Sequence, residues 1–224
     1  MRKFAIACLM MTGLTAAPRE VSFPTADGGM IWADLYGAGN RGVVLAHGAR
    51  FDKASWGPQA EVLAKAGFRV LAIDFRGYGR SRGGDKAAPG GGEKYQDVLA
   101  AVRYLRENGA TRVSVIGASM GGGASGNAAI HARPGEIDRL ILLANVPVDE
   151  PERLAVPKLF AVGKGDGLAA RVREQFEKAP EPKELMILEG SAHAQFLFQT
   201  DQGERLMKKI LEFLSETKTE AEKK

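Results

Sequence analysis

Gly117-Ala118-Ser119-Met120-Gly121 is the stretch of this sequence that decides its fold. A short run of β-favouring residues, 113–116, precedes it, and a segment rich in small residues, 120–132, follows it. G-x-S-x-G between a strand and a helix is typical of a nucleophile elbow, a tight turn that exposes a serine hydroxyl at the end of a strand. The glycines are needed because a side chain on either flank would collide with neighbouring backbone. The alternative is an ordinary glycine- and serine-rich turn in an α/β protein.

Short apolar runs bounded by Gly, Asp, Asn or Pro recur on both sides of this turn, and each predicts a strand. They lie at residues 30–36, 43–46, 70–73, 113–116, 140–143, 159–162 and 185–188. Five of the runs are continuous, which is typical of parallel strands covered on both faces. Only residues 30–36 alternate clearly, which predicts an antiparallel strand at an edge of the sheet.

Segments with helical character lie between and after these runs, at residues 56–66, 95–108, 120–132, 168–179 and 204–215. Gly67 and Gly109 stand where the first two segments should end, a position that favours glycine. The alternation of strands and helices predicts one α/β domain over residues 18–217. Its sheet should be mostly parallel and twisted, with about seven to eight strands flanked by helices. In such a sheet, functional residues gather at the carboxyl ends of the strands.

The composition is that of an ordinary globular protein, with 45% hydrophobic and 26% charged residues among 224. No apolar run reaches the roughly 18–20 residues that span a bilayer. A single cysteine, Cys8, excludes an internal disulfide, and three scattered histidines argue against a zinc site. We expect neither a metal nor an organic cofactor. The net charge of +4 is dispersed and forms no basic patch interleaved with aromatics, which argues against nucleic-acid binding.

The two ends of the chain differ from the predicted domain. Residues 1–17 have a basic start at Arg2 and Lys3, an apolar run over 4–14 and small residues at the end. This pattern predicts a signal peptide and export to the periplasm or the medium, and the alternative is the first segment of a cytoplasmic protein. Residues 218–224 predict a charged, frayed tail. Nothing in the sequence indicates the oligomeric state.

A serine hydroxyl is a weak nucleophile, so Ser119 needs a nearby base. Three histidines could act as this base. His131 falls at the far end of the helix that begins beside Ser119, and His47 follows a strand in a position better suited to shaping a loop. His193 lies on the loop after the last predicted strand, at the correct edge of the sheet. We therefore expect His193 to be the general base.

The base must be oriented by a carboxylate, which also stabilises its cation. Asp166 follows the strand at 159–162, in Gly163-Lys164-Gly165-Asp166, and its loop should neighbour the His193 loop. Asp149, after the preceding strand, is the rival candidate. We favour Asp166 because its glycine-flanked turn holds it at the tip of the strand. The order along the chain is then Ser119, Asp166, His193.

Acyl transfer also requires two backbone N–H donors that bind the oxyanion. One should be Met120, directly after the nucleophile. The other should lie in the turn after the strand at 43–46, where His47-Gly48-Ala49 makes the Ala49 N–H the best candidate. A plain strand-ending turn is the alternative for this segment.

Five segments together resemble the α/β-hydrolase superfamily, and the resemblance extends over residues 21–217. The segments, in the family's order, are His47-Gly48-Ala49, Asp74-Phe75-Arg76-Gly77-Tyr78-Gly79-Arg80-Ser81, Gly117-Ala118-Ser119-Met120-Gly121, Gly163-Lys164-Gly165-Asp166 and Gly190-Ser191-Ala192-His193. By this resemblance, Asp74 and Arg76 are scaffold residues rather than catalysts. One departure is that Gly167-Leu168-Ala169, rather than a proline-containing turn, follows Asp166.

The resemblance also implies which kind of member this chain is. Many members insert a helical lid after the sixth strand, but here only residues 144–158 separate two predicted strands. Ser119 stands in place of the aspartate nucleophile of dehalogenases and epoxide hydrolases, and of the cysteine typical of dienelactone-hydrolase relatives. The resemblance thus implies a lidless, serine carboxylesterase-like enzyme with an open and shallow site.

We expect this enzyme to cleave small or short-acyl carboxylic esters through an acyl-enzyme intermediate. Thioesters and small amides or peptides are the alternative substrates, and a non-catalytic binding protein on the same scaffold is the alternative class. Loops should form the substrate pocket, and the candidate lining residues are Arg50, Phe51, Trp56, Val146, Leu168 and Phe196. Two G-x-G-x-x-G matches, at 37–42 and 121–126, lack the strand-to-helix context of a dinucleotide site, so we expect no nucleotide.

Overall fold

The computed structural model describes residues 17–83 and 94–216 of the chain. The strands are β1 (Arg19–Pro24), β2 (Met30–Tyr36), β3 (Arg41–Ala46), β4 (Phe68–Ile73), β5 (Arg112–Ala118), β6 (Arg139–Leu143), β7 (Lys158–Gly163) and β8 (Lys183–Leu188). They form one sheet in the order β1-β2-β4-β3-β5-β6-β7-β8. The pairs β1–β2 and β2–β4 are antiparallel, and every other pair in the sheet is parallel.

Helices connect and follow these strands. The α-helices are α1 (Gly57–Lys65), α2 (Lys94–Glu107), α3 (Met120–His131), α4 (Ala169–Lys178) and α5 (Gly203–Ser215). Short 3-10 helices cover Lys53–Trp56, Pro151–Arg153 and Ala194–Gln199. The predicted helix ends at Gly67 and Gly109 are confirmed, since both glycines have positive φ, 86° and 94°, in the left-handed conformation that ends a helix.

The predicted fold, a mostly parallel sheet flanked by helices, is confirmed, and one edge of the sheet differs. Residues 30–36 were expected at an edge, yet β2 is the second strand because β1 pairs along its outer side, from Arg19 opposite Leu35 to Pro24 opposite Met30. The sequence of β1 offers only two buried apolar side chains, Val21 and Phe23. So short an alternation is a weak signal for a strand.

The central strands are buried along nearly their whole length. All residues of β6 and β7 are buried, and so is β3 from Gly42 to Ala46. Continuous burial requires cover on both faces of the sheet, which agrees with the continuous apolar runs in the sequence. The carboxyl ends of these parallel strands therefore emerge side by side from a rigid core.

The glycines of α3 let this helix approach the sheet closely. A Cβ atom built on Gly121 would lie 2.3 Å from the carbonyl oxygen of Ala46, at the end of β3. A Cβ on Gly122 would lie 2.5 Å from the Cβ of Asn145, directly after β6 and Ala144. The small residues thus bring the first turn of α3 against the ends of two strands.

The loop after β4 is held by buried charges, as expected for scaffold residues. Arg76 donates from Nε and Nη2 to Asp97 of α2, at 2.8 and 2.6 Å, and from Nη1 to Asp27 at 2.6 Å. Asp74 accepts a hydrogen bond from the backbone N–H of Lys53. Burial disfavours the charged guanidinium, but the two carboxylates more than compensate and raise the pKa of Arg76.

Several predictions from the sequence concern residues outside the described ones. The signal peptide at 1–17 falls almost wholly there, as does the charged tail at 218–224. Among the described helices, none combines the length and apolar character that a membrane span requires.

Candidate active site

Ser119 lies in a tight turn between β5 and α3. Its backbone has φ 51° and ψ −115°, outside the regions that L-residues ordinarily occupy. The turn is held on both sides: Ser119 N–H donates to the carbonyl of Leu143, and the Ser119 carbonyl accepts from the amides of Gly122, Gly123 and Val146. Such a conformation persists only where its surroundings over-determine it. The turn thus lifts the hydroxyl above the end of β5.

A chain of hydrogen bonds joins Ser119, His193 and Asp166. His193 Nε2 lies 2.8 Å from Ser119 Oγ, and His193 Nδ1 lies 2.7 Å from Asp166 Oδ2. With its proton on Nδ1, the ring donates to the carboxylate and accepts from the hydroxyl. The His193 side chain is 40% exposed, whereas the Asp166 carboxylate is buried beneath it. A ligand can therefore reach the serine and the histidine while the carboxylate stays shielded.

The ends of β7 and β8 place Asp166 beside His193. Lys164 N–H donates to the carbonyl of Leu188, and Gly165 N–H donates to the carbonyl of Gly190, so the two loops are bonded together. The second carboxylate oxygen of Asp166 accepts from the backbone N–H of Leu168 at 2.7 Å. Both Asp166 oxygens are thus engaged, and the carboxylate has a fixed orientation.

The rival carboxylate has another partner. Asp149 Oδ2 accepts from the side-chain amide of Asn127 at 2.8 Å, and Asp149 N–H donates back to Asn127 Oδ1. His131 lies on the same part of α3, where its Nδ1 faces the Asn127 carbonyl and its ring stacks on Tyr95. Neither Asp149 nor His131 takes part in the hydrogen bonds that link Asp166, His193 and Ser119.

His47 is buried and shapes the turn after β3. Its Nδ1 lies 2.8 Å from the Gly48 carbonyl and its Nε2 accepts from Phe75 N–H at 3.3 Å. One ring nitrogen must therefore be a donor and the other an acceptor, as in the neutral ring. Burial lowers the pKa of His47, which agrees with that neutral state.

Near the serine, two backbone N–H groups of the described residues have no hydrogen-bond acceptor. In the part of the chain that the structure describes, the amides of Ala49 and Met120 donate to no acceptor. The Tyr78 hydroxyl contacts both residues, since it donates to the Ala49 carbonyl at 3.0 Å and lies 3.7 Å from Met120 Sδ. Met120 is also the first residue of α3, where the helix dipole favours a negative charge. The two N–H groups are suited to donate to an anion next to Ser119.

An open groove of about 510 Å³ begins at Ala49. The residues that line it are Ala49, Arg50, Phe51, Asp52, Ser55, Gly77, Tyr78 and Gly79. The exposed ring of Phe196 packs edge-on against Phe51 at 5.1 Å between centroids, on the His193 side. The groove thus contains two of the expected pocket residues, Arg50 and Phe51, and Phe196 adjoins it.

Three other expected pocket residues lie elsewhere. The prediction that Trp56 lines the pocket is wrong. Trp56 is fully buried and packs against Phe198, because it ends a 3-10 helix whose apolar face turns into the core. Val146 lies against Gly123 of α3, and its N–H supports the serine turn. Leu168 caps α4 and donates its N–H to Asp166. None of the three lines the groove.

The sequence reasoning did not identify Tyr78 or Gln195, which contact the turn at residues 48–49. Tyr78 lies in the loop segment 74–81 that follows a strand, but nothing in that segment marks its hydroxyl as a partner of Ala49. Gln195 carries no local signal, because its partners are 140 and 147 residues away. Within residues 17–83 and 94–216, no group of three or more His, Cys, Asp or Glu side chains could hold a metal ion.

Comparisons with known proteins agree with the fold. The sequence model of the family described as serine aminopeptidase, S33, matches residues 39–149. A hydrolase from Thermoplasma acidophilum, described as CIB-like, is 25% identical with a TM-score of 0.73, and the match covers 88% of this chain and 98% of that one. This chain belongs to the α/β-hydrolase superfamily. The expected superfamily is thus confirmed.

Two further likenesses describe this α/β-hydrolase. ABHD14B of Rattus norvegicus, described as a protein-lysine deacylase, is 28% identical over 187 residues, which are 78% of this chain and 83% of the relative. The fold also matches esterase Pf2001 of Pyrococcus furiosus, with a TM-score of 0.73 at 21% identity, over 88% of this chain and 91% of the esterase. The likenesses together support a hydrolase.

Proposed function

We propose that this α/β-hydrolase cleaves small or short-acyl carboxylic esters through an acyl-enzyme intermediate. Ser119 is the nucleophile, His193 the general base and acid, and Asp166 the carboxylate that orients the imidazole. The observation that carries this proposal is the unbroken chain of hydrogen bonds from Asp166 through His193 to Ser119, at 2.7 and 2.8 Å. A nucleophile, its base and an orienting group within hydrogen-bond reach are what acyl transfer needs.

In the first half of the reaction, Ser119 Oγ attacks the ester carbonyl while His193 Nε2 takes its proton. The carbonyl oxygen gains the negative charge, and the free N–H groups of Ala49 and Met120 donate to it. Each donor of this kind typically contributes about 3 kcal/mol of transition-state stabilisation. His193 then gives the proton to the departing alkoxide oxygen, so the alcohol leaves and the acyl group stays on Ser119.

In the second half, water replaces the alcohol. His193 Nε2 takes a proton from the water as its oxygen attacks the acyl carbonyl, and the same two N–H groups bind the new oxyanion. The bond to Ser119 Oγ then breaks, and the serine takes the proton back from His193. The products are a carboxylic acid and the free enzyme, with Asp166 ionised throughout.

The open site favours small acyl groups. Residues 144–157, which connect β6 to β7, contain only the 3-10 helix Pro151–Arg153, so no helical lid covers the serine from this position. The groove beside Ala49 is open, and the ring pair Phe51–Phe196 is the apolar surface near it. Such a surface can bind a short acyl chain but does not enclose a long one.

Amides of lysine are the second candidate substrates, because the relative ABHD14B is described as a protein-lysine deacylase. The same groups break an ester or an amide, since the proton that His193 carries can go to an alcohol or to an amine. An open groove admits a side chain presented on a peptide. A series of p-nitrophenyl esters with increasing acyl length, compared with acetyl-lysine peptides, separates the two classes.

The nucleophile is tested with Ser119→Ala. We expect turnover of p-nitrophenyl acetate to fall at least about a thousandfold, because no other group can form the acyl-enzyme. Ser125→Ala is the matched control: Ser125 lies on α3, its buried hydroxyl bonds to none of the described residues, and the variant should keep the wild-type rate. A fluorophosphonate probe should label the wild-type chain and the control but not Ser119→Ala. A wild-type chain that neither reacts with the probe nor hydrolyses esters would indicate a non-catalytic binding protein.

A further inference from the structure

The backbone from Gly48 N to Ala49 O is bonded at every polar atom except one. Gly48 N–H donates to Gln195 Oε1 at 3.3 Å, and the Gly48 carbonyl faces His47 Nδ1 at 2.8 Å and accepts from Phe51 N–H at 3.0 Å. The Ala49 carbonyl accepts from the Tyr78 hydroxyl. Because a peptide unit is planar, fixing the Gly48 carbonyl also fixes the direction of the Ala49 N–H. Within residues 17–83 and 94–216, that N–H has no acceptor and is the one polar group of this backbone stretch without a hydrogen bond.

The hydrogen-bond partner of Gly48, Gln195, belongs to the 3-10 helix after β8, on the other side of the site from the turn at residues 48–49. It is 3% exposed, and its amide bridges two segments that follow β3: Oε1 accepts from Gly48, and Nε2 donates to Ser55 Oγ at 2.9 Å. Ser55 Oγ in turn donates to the carbonyl of Asp52 at 2.5 Å. The bond to Ser55 identifies which end of the amide is the oxygen, so Gly48 faces an acceptor.

The same segment carries His193, two residues earlier. Ala194, between them, is buried and has φ 53°, a conformation that a residue with a side chain rarely adopts. This left-handed residue separates the directions of its neighbours, so that His193 faces Ser119 while Gln195 faces Gly48. A Cβ on Gly48 would lie 3.3 Å from Gln195 Oε1 and 3.4 Å from Ala194 Cβ, so the two segments are in close contact.

We propose that Gln195 is a positioning residue that sets the Ala49 N–H donor relative to His193, so that base and oxyanion donor are held as one unit. This inference rests on the proposed function, in which Ala49 binds the oxyanion. Gln195 itself touches neither the substrate nor the reacting atoms. Its effect should therefore appear in the transition state, where the oxyanion exists, and not in the binding of the neutral ester.

The test compares Gln195→Met, which keeps the length of the side chain and removes both hydrogen bonds, with wild type on p-nitrophenyl acetate. We expect kcat to fall about 10- to 100-fold, less than the loss of a whole oxyanion donor, with KM changed less than about threefold. Affinity for a trifluoromethyl ketone, which forms a hemiketal oxyanion on Ser119, should fall by a factor similar to kcat. The acid limb of the pH–rate profile should keep its midpoint, because His193 still bonds to Asp166.

Gln202→Met is the matched control. Like Gln195, Gln202 uses both ends of its amide, here with the backbone N–H and carbonyl of Glu189, but it forms no hydrogen bond with the turn at Gly48. It should keep wild-type kcat and ketone affinity even if it lowers Tm. Ser55→Ala, which removes the partner of Gln195 Nε2 together with the bond to the Asp52 carbonyl, should lower kcat in the same direction by about three- to tenfold, and it serves if Gln195→Met does not fold.

Three results would overturn the inference. They are an unchanged kcat in folded Gln195→Met or in Ser55→Ala, equal losses in Gln202→Met, and a shifted acid limb, which would place the effect on His193 instead. If wild type itself neither hydrolyses the ester nor reacts with a fluorophosphonate, the proposed function fails separately. In that case, hydrogen exchange at the Ala49 amide tests whether Gln195 positions Ala49. Exchange should be faster in Gln195→Met than in wild type, and equal rates would reject the positioning role.

Discussion

At the scale of single residues, Ser119 combines an unfavourable backbone conformation with the position that the proposed reaction requires. Its φ of 51° and ψ of −115° suit glycine alone, yet a glycine there would carry no hydroxyl. Strain of this kind typically amounts to about 1–3 kcal/mol per residue and is offset by the surroundings. Here four backbone hydrogen bonds, to Leu143 and from Gly122, Gly123 and Val146, hold the turn.

Replacing Ser119 by glycine or alanine separates strain from chemistry. Both variants lack the proposed nucleophile and should be inactive, but Ser119→Gly removes the strain, so we expect it to be about 1 kcal/mol more stable than Ser119→Ala. Urea unfolding measures the difference. The same pair at Ser191, an exposed loop residue without positive φ, should show the opposite order, because glycine there only adds freedom to the unfolded chain. Equal stability of the two Ser119 variants would mean that the turn is not strained.

Some residues of the candidate site follow from sequence and others do not. Ser119 follows its strand directly, and Asp166 and His193 lie three and five residues beyond theirs. Parallel strands bring such positions to one edge of the sheet, and the structure places the three side chains together there. Gln195 and Tyr78 act through backbone atoms of the distant turn at 48–49. A side chain that recognises a backbone atom leaves no pattern in the sequence, so only coordinates reveal such partners.

At the scale of elements, α3 connects the serine turn to the turn after β3. A Cβ on Gly121 would lie 2.3 Å from the Ala46 carbonyl and 2.6 Å from the His47 carbonyl, and both are backbone atoms that cannot rotate away. The helix therefore lies against the segment that leads to Ala49. This contact brings the amides of Met120 and Ala49 to the same place.

Gly121→Ala should disrupt this contact. Alanine favours a helix by about 1 kcal/mol, but overlap with fixed backbone costs more, so we expect a net loss of stability of at least about 2 kcal/mol. Ester turnover should also fall, because the displaced segment carries Ala49. Gly57→Ala is the matched control: it begins α1, has an ordinary φ and no neighbouring atom closer than 4.0 Å, and should be neutral or slightly stabilising. A Gly121→Ala protein as stable as wild type would contradict the close packing of α3.

The elements that the sequence predicted well are those with long, continuous or periodic apolar patterns. All seven predicted apolar runs lie within strands of the sheet, and α5 follows its predicted span to within one residue. The missed strand, β1, has two inward apolar residues and gains its stability from pairing with β2, which no local pattern records. Its presence moved β2 from the edge to the interior of the sheet.

At the scale of the whole molecule, one buried charge makes the stability depend on pH. Lys158 begins β7 and is fully buried, with its Nζ donating to the Pro180 carbonyl at 2.5 Å. Burial, opposed by the attraction of Glu181, lowers the pKa of Lys158 to about 8, against 10.5 for an exposed lysine. Below pH 8 both folded and unfolded chains hold the proton, and the folded chain bears the cost of burying the charge. Between pH 8 and 10.5 the folded chain releases the proton first, so this cost disappears as the pH rises.

Lys158→Met tests this account of the pH dependence. The difference between the two pKa values corresponds to about 3 kcal/mol, and loss of the bond to Pro180 offsets about 1 kcal/mol, so the variant should be about 1–2 kcal/mol more stable than wild type at pH 7. Its advantage should shrink steadily from pH 8 to 10, as wild type sheds the buried charge. Urea unfolding at pH 7, 8, 9 and 10 measures this, with the exposed Lys208→Met as the control that should show no such trend. A difference between Lys158→Met and wild type that is constant over this range would mean that Lys158 keeps an ordinary pKa in the fold, and that the Pro180 carbonyl fully compensates its burial.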